Sequence, residues 1–292
     1  LPDTYIPDMS TLYVVATPIG NLGDLSPRAA EVLTSADRIL AEDTRRTRVL
    51  TQHVGARARL VSLHAHNETE RSRQVLAWLD AGETLALVSD AGTPLVSDPG
   101  SRLVTAVLAG GHEVVPIPGP SAVLAALVGS GFSVDRFTFL GFPERKGKAR
   151  SALLERVAVA REPVVLFESP QRLVRLLEDL SQACAESRQV CVARELTKIH
   201  EEFVRGTLSD ACAYYRSTPP RGEVCVVIAA ADADVAAEAD REAEAADVAR
   251  TLLAQGGKPS EVARELARRL ALPRNAAYRV VQDVAQSQEG SS

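Results

Sequence analysis

"LVSDAGTPLVSDPGSRLV", residues 87–104, sets two Ser-Asp pairs, two glycines and two prolines between an apolar run and a helical pattern. A connection in an α/β unit needs only about two to six residues. This one is longer, and its chemistry is that of a site. Gly92 permits a positive φ, and Pro94 restrains Thr93 to an extended conformation. The turn then exposes backbone N–H and C=O groups beside the Asp90 carboxylate. Such a surface suits hydroxyls, an amine or an adenine edge, whereas a phosphate would be repelled. The same residues also fit a purely structural Asx turn.

Outward from this stretch, short β-branched runs alternate with helical patterns through residue 230. Strands are expected at 11–17, 38–42, 83–90, 112–117, 137–142, 163–169, 189–195 and 223–229. Near-continuous apolar strands alternating with helices predict largely parallel sheets covered on both faces. In "NETERSRQVLAWLDAG", Val75, Leu76 and Leu79 recur at helical spacing, with Asn67 as the N-cap and Gly82 as the stop. Ser26-Pro27, Asp98-Pro99, Gly119-Pro120 and Ser169-Pro170 each place a capping-type residue before a proline, a pattern that presets a helix start. In parallel sheets those starts gather at the carboxyl ends of the strands, where ligands bind.

The chain has 292 residues, 46% of them hydrophobic and 24% charged, as in an ordinary globular protein. No apolar run reaches the roughly 18 residues of a membrane span. Residues 1–10, which include the single methionine Met9, read as a disordered leader without signal-peptide character. Cys184, Cys191, Cys212 and Cys225 show no C-x-x-C spacing and read as small core residues of a cytoplasmic protein. A net charge of −5 argues against a surface coated with nucleic acid but allows a local basic footprint.

Residues 231–247 carry seven acids against one arginine and read as a linker running into a helix. Helices are expected at about 242–255, 260–272 and 274–286, the last two resembling a helix-turn-helix. From Lys258 to Val280 there are six basic residues against two acids. This small bundle suits RNA contact or dimer packing equally well.

Neither G-x-G-x-x-G after a strand nor G-x-x-x-x-G-K-[ST] occurs, which argues against a dinucleotide or P-loop site. Instead "TPIGNLGDLSPRA" (17–29), "PIPGPSA" (116–122) and "LFESPQR" (166–172) join the opening stretch as long turns at strand ends. Together with "AEDTRRTRVL", "LHAHNE" and "ARELTKIHEE", these blocks resemble the signature blocks of the tetrapyrrole methylase superfamily. The resemblance is to the branch that methylates a cytidine 2′-hydroxyl of bacterial small-subunit ribosomal RNA, and it runs from about Thr11 to Ala230 in the expected order.

The resemblance implies a two-lobed α/β fold with S-adenosylmethionine (SAM) in the cleft, usually in a homodimer, followed by a small all-α helix-turn-helix-like domain. It divides the chain into lobes at 11–118 and 119–230, an acidic linker at 231–241 and an RNA-docking domain at 242–292. The superfamily's Gly-Asp-Pro cofactor turn corresponds to Asp90, Ala91, Gly92 and Thr93. Its Pro-Gly turn falls on Pro118 to Ala122, including Gly119 and Ser121, and its Tyr-Met or Tyr-Glu position on Phe167 and Glu168. The opening Gly-x-Gly-x-Gly-Asp is replaced by a turn beginning at Pro18, as in the RNA-modifying branch, which weighs against tetrapyrrole methylation. The implied partner is 16S ribosomal RNA in the small subunit.

A ribose hydroxyl is a poor nucleophile, so a base or cation beside it should help. Candidates are Glu42 and Asp43 in "AEDTRR" and Glu195 and Lys198 in "RELTK", with most weight on the Glu42–Asp43 pair; each also fits a surface ion pair. Arg45, Arg46, His64, His66, Asn67, Lys146, Lys148 and Arg194 are the candidate RNA contacts. Two histidines without a third ligand make a poor metal site, so no metal is expected. A small-molecule methylase would need neither the basic runs nor the C-terminal helices, and a non-catalytic assembly factor would bind RNA without SAM.

Overall fold

Two five-stranded sheets organise the described residues, 10–270 and 272–289 of the computed structural model. The expected leader falls almost wholly outside them. The first sheet contains β1 (Thr11–Val15), β2 (Arg38–Ala41), β3 (Arg59–Ser62), β4 (Leu85–Val88) and β5 (Glu113–Ile117). They lie in the order β3-β2-β4-β1-β5, with every pairing parallel.

Alternate residues of these strands enter two different cores, which explains their unbroken apolar runs. Tyr13, Val15, Ile39, Ala86 and Val88 pack on α1 (Pro27–Ser35) and α2 (Thr44–Val54). Leu12, Val14, Leu40, Leu85 and Leu87 pack on α3 (Glu68–Asp80) and α4 (Ser101–Ala109). Burying one such side chain contributes about 1.5–3 kcal/mol.

The chain then crosses through 118–121 into α5 (Ala122–Ser130) and the second sheet, ordered β6-β7-β10-β8-β9. Its strands are β6 (Thr138–Phe139), β7 (Val164–Glu168), β8 (Gln189–Arg194), β9 (Glu202–Thr207) and β10 (Val224–Ile228). Only β6–β7 is parallel; β7–β10, β10–β8 and β8–β9 are antiparallel. The expectation of largely parallel sheets therefore holds for the first lobe and fails for the second. Val165, Cys191, Cys225 and Val227 face α5, while Leu166, Val190, Val192 and Val226 face α6 (Lys148–Ala158), α7 (Leu173–Cys184) and α8 (Leu208–Ser217). Burial on both faces gives the same apolar run whichever way the neighbouring strand points.

The proline-preset starts also divide. Ser26 caps α1 through Ala29 N–H, with Pro27 at the first helical position. The other three prolines precede their helices: α4 starts after Gly100, α5 after Ser121 and α7 after Arg172. At α4 the orphan amides are satisfied from another element. The buried Glu68 carboxylate of α3 accepts N–H bonds from Gly100, Arg102 and Leu103 at 3.1, 2.9 and 3.2 Å. Asn67 holds the N-cap position of α3 but spends its side chain on the preceding loop, accepting from His64 N–H at 2.9 Å.

The acidic segment at 231–241 is helical from residue 233 onward. α9 (Ala233–Ala254) runs through it, favoured by a sequence of alanines and glutamates. With α10 (Pro259–Arg269) and α11 (Arg274–Glu289) it builds a separate core around Ala245, Ala249, Val262, Leu266, Ala277 and Val281.

Candidate active site

The strand order of the first sheet places the carboxyl ends of β2, β4, β1 and β5 side by side, and their loops converge on the second lobe. A cavity of about 400 Å³ lies there. The first lobe supplies Ile19, Arg46 and the run Asp90–Thr93, followed by Val96, Ser97 and Asp98. Ser121, Ala122 and Val123 come from the start of α5, and Phe167, Glu168 and Leu196 from the second lobe. The opening stretch of sequence thus forms one wall.

That wall is held by backbone. Thr17 and Gly92 exchange N–H bonds at 2.8 and 3.0 Å, and Gly92 has φ of 82°, as its turn requires. Thr93 Oγ1 donates to Pro120 O at 3.2 Å, joining the cofactor-type turn to the crossover between lobes. Beyond it, Leu95 and Ser97 adopt left-handed φ of 73° and 66°; across the cavity Glu195 and Thr197 do the same at 52° and 65°. Each such residue costs about 1–3 kcal/mol and is found mainly where a ligand is gripped.

Charges are distributed unevenly on these walls. Asp90 accepts from Asp43 N–H at 3.0 Å and lies 3.4 Å from Arg46 Nη1. Glu168, 2% exposed, accepts from Ser169 N–H at 2.8 Å and sits 3.1 Å from Arg172. Glu223 pairs with Lys198 at 2.9 Å. Asp98 has no cation beside it among the described residues. Burial pushes its carboxyl up to about 6; Ser89 pulls the other way, and the nearby carboxylates of Glu42 and Asp90 add to the rise. Phe142, 58% exposed, leans on Phe167 with centroids 5.4 Å apart at the cavity edge.

Residues 11–212 match the family model described as Tetrapyrrole (Corrin/Porphyrin) Methylases. The chain belongs to the tetrapyrrole methylase family. A ribosomal RNA small subunit methyltransferase I from Synechocystis sp. is 46% identical over 272 residues, covering 93% of this chain and 97% of the relative. Among solved structures, a cobalt precorrin-4 methyltransferase superposes with a TM-score of 0.61 at 18% identity, covering 75% of this methylase and 94% of that chain. A uroporphyrin-III C-methyltransferase from Thermus thermophilus, complexed with S-adenyl homocysteine, gives 0.56 at 19% identity over 75% and 96%.

Within this methylase the sequence-based cofactor residues converge unequally. Asp90 to Thr93, Ser121, Ala122, Phe167 and Glu168 line the cavity; Pro18, Pro118 and Gly119 do not. Gly119 instead lets the crossover approach Ala16, whose Cβ would stand 3.0 Å from an added Cβ. Val96, Ser97, Asp98, Phe142 and Leu196 were missed as site residues. The second Ser-Asp pair was the available signal for Asp98.

The catalytic candidates separate by electrostatics. Asp43 caps α2, accepting from Arg45 N–H at 2.9 Å and pairing with the Arg45 guanidinium at 2.8 Å. The Arg45 hydrogen bonds hold its carboxyl at about 2, too low for a general base. Glu42 is exposed as a residue, but partial desolvation of its carboxyl and then the nearby Asp90 raise its pKa. Burial works against the charge of Lys198, but hydrogen bonds to Glu195 and Glu223 outweigh it and raise its pKa, while the Lys198 hydrogen bond lowers that of Glu195.

Of the RNA candidates, Arg46 lines the cavity, while Arg45 does not and stays exposed, paired with Asp43. His64 and His66 meet edge to face at 6.0 Å, and His64 Nδ1 is buried without a hydrogen-bond partner. Asn67 is committed to the loop that carries them. Lys146 and Lys148 are exposed just after Phe142. Arg194 is occupied by Glu202 at 3.0 Å and by Arg221 O at 3.2 Å, which removes it from the free cations.

Proposed function

We propose that this methylase transfers a methyl group from S-adenosylmethionine to the ribose 2′-hydroxyl of a cytidine in 16S ribosomal RNA, acting on the small ribosomal subunit in the bacterial cytoplasm. The relationship to a ribosomal RNA small subunit methyltransferase I across 97% of that protein's length carries the reading. The cavity fits the cofactor: carboxylates suit a sulfonium and an amine, and Ile19, Phe167 and Leu196 supply an apolar wall. When bound, SAM supplies an electrophilic methyl carbon on a good leaving group.

The protein's own contribution is then mainly positioning, which can supply roughly 7–11 kcal/mol of a barrier. Asp90 and the turn at 91–93 hold the cofactor's polar groups. Arg46 stands where an RNA phosphate would enter, and Lys146 and Lys148 extend the footprint beyond Phe142. His64 and His66, on the loop after β3, are further candidate RNA contacts. Lys198, kept charged, is a structural cation that fixes the loop at 195–201. The C-terminal helices dock RNA. The exposed apolar residues Leu124 and Val128 of α5, the latter 78% exposed, support a homodimer.

Incubation with methyl-labelled SAM and, separately, assembled small subunits, naked ribosomal RNA and a precorrin-type tetrapyrrole tests the reading. Label is expected at a single cytidine 2′-oxygen in the subunit arm. Label in the tetrapyrrole, or RNA binding with no SAM affinity, would overturn it.

A further inference from the structure

Of the apolar side chains that line the cavity, Phe142 is the most exposed, at 58%. Its backbone is nevertheless fixed on both sides. Phe167 N–H donates to Gly141 O at 2.9 Å, which ties the preceding residue to β7. Gly141 has φ of 66°, and an added Cβ there would stand 3.2 Å from Ser97 Oγ of the first lobe. After the ring, Arg172 donates to Pro143 O at 2.5 Å and Arg150 to Glu144 O at 2.9 Å. The side chain is backed as well. Phe167 leans on it with centroids 5.4 Å apart, and Phe139 leans on Phe167 at 4.9 Å. More than half of this well-held ring still faces water.

Cations follow it directly. Arg145 and Lys146 lie in the loop and Lys148 opens α6; all three are exposed and hold no ion pair among the described residues. SAM has no phosphate and itself carries a sulfonium, so its charge does not call for three free cations. An open aromatic ring beside unpaired cations suits single-stranded nucleic acid, whose bases stack on the ring while the cations meet phosphates. A ribose 2′-oxygen must enter the cavity to meet a methyl group held there. The base on that same ribose then lies at the cavity edge, where Phe142 stands.

Resting on the methyl-transfer reading above, we propose that Phe142 is the platform on which the target cytosine stacks once it has left its neighbours. The ring touches the base and takes no part in the chemistry. Its π-face is what the base meets, so an aliphatic side chain of similar bulk cannot replace it. Lys146 and Lys148 hold the adjoining phosphates.

The test uses Phe142→Leu and Phe142→Trp in the full chain, assayed by methyl transfer over a range of small-subunit concentrations and by SAM calorimetry. In Phe142→Leu, kcat/KM for subunits should fall about 5- to 100-fold, the worth of one base–aromatic stack expressed as a ratio. SAM affinity should hold within about twofold, well short of the tenfold step. Phe142→Trp should stay within about threefold of wild type, because it keeps a ring. The salt dependence of subunit binding should not change in either variant, since the ring neutralises no phosphate. Subunits reconstituted with an abasic ribose at the target cytidine supply the decisive arm. On them Phe142→Leu and wild type should methylate equally, because the base that feels the ring is gone.

A Phe142→Leu rate within about twofold of wild type overturns the proposal. A tenfold loss of SAM affinity makes the ring a cofactor wall and overturns it too. So does a defect of full size on the abasic subunits, which would assign the ring to another nucleotide or to the shape of the loop. If Phe142→Leu fails to fold, Phe142→Trp decides through its added indole emission, read against wild type. Intact subunits should quench that emission and abasic ones should not; equal emission with both overturns the proposal. A wild type that binds SAM but methylates no RNA removes the functional reading itself, an outcome distinct from an active wild type matched by Phe142→Leu.

Discussion

Thr17 and Gly92 form a reciprocal pair of backbone hydrogen bonds, a single antiparallel bridge between the loops that leave β1 and β4. The bridge holds the Asp90 turn without using the Asp90 side chain. Asp90→Ala should therefore keep the fold, seen as an unchanged far-UV spectrum, while weakening SAM binding at least tenfold, about 1.4 kcal/mol. Unchanged affinity by calorimetry would remove Asp90 from the cofactor site.

Asp43 is expected to matter for stability more than for rate. Its carboxyl is held at about 2 by Arg45, below the unfolded value of about 3.9. Its stabilising contribution is thus present above about pH 4 and fades as pH falls toward 2. Asp43→Ala should melt lower than wild type at neutral pH, with the two curves converging in acid. Methyl transfer should stay within about fivefold, less than removal of a base would cost. A hundredfold loss would restore Asp43 as the base.

Lys146→Ala and Lys148→Ala should weaken RNA binding without changing SAM affinity. If each lysine meets one phosphate, each substitution lowers the slope of log affinity against log salt by about one. An unchanged slope in filter binding at several salt concentrations would show that these lysines are only solvated.

Removing residues 233–292 takes away α9, α10 and α11 together with the core they share. SAM affinity should survive, and binding to small subunits should weaken and lose part of its salt dependence. If the truncated protein becomes monomeric with unchanged RNA affinity per subunit, the three helices serve dimer packing instead.

The first lobe was readable because parallel strands with helices on both faces leave a plain signal, an apolar run followed by a helical period. β3 escaped because "RLVS" is short, sits at the sheet edge and begins with an exposed arginine. β9 escaped because "EFVRGT" is only partly buried and follows directly on a motif that had drawn a chemical reading. Strand direction in the second lobe was not encoded locally: "VCVVI" would look the same beside parallel neighbours. The cavity-lining turn at 90–94 was visible through its glycine and proline. The pairing of Asp43 was not, since it depends on Arg45 folding back on its carboxylate.

The order of strands in the second sheet also bears on how the protein is made. β10 lies between β7 and β8, although it is the last strand of the sheet to leave the ribosome. The first sheet has all five strands once residue 117 has emerged and can close while synthesis continues. The second cannot. Until residue 228 is out, β7 and β8 each present an open edge to whatever strand comes near. From residue 168, where β7 ends, until residue 228 the nascent chain carries a finished sheet and a gapped one, and it is in that interval that mispairing or chaperone capture should concentrate.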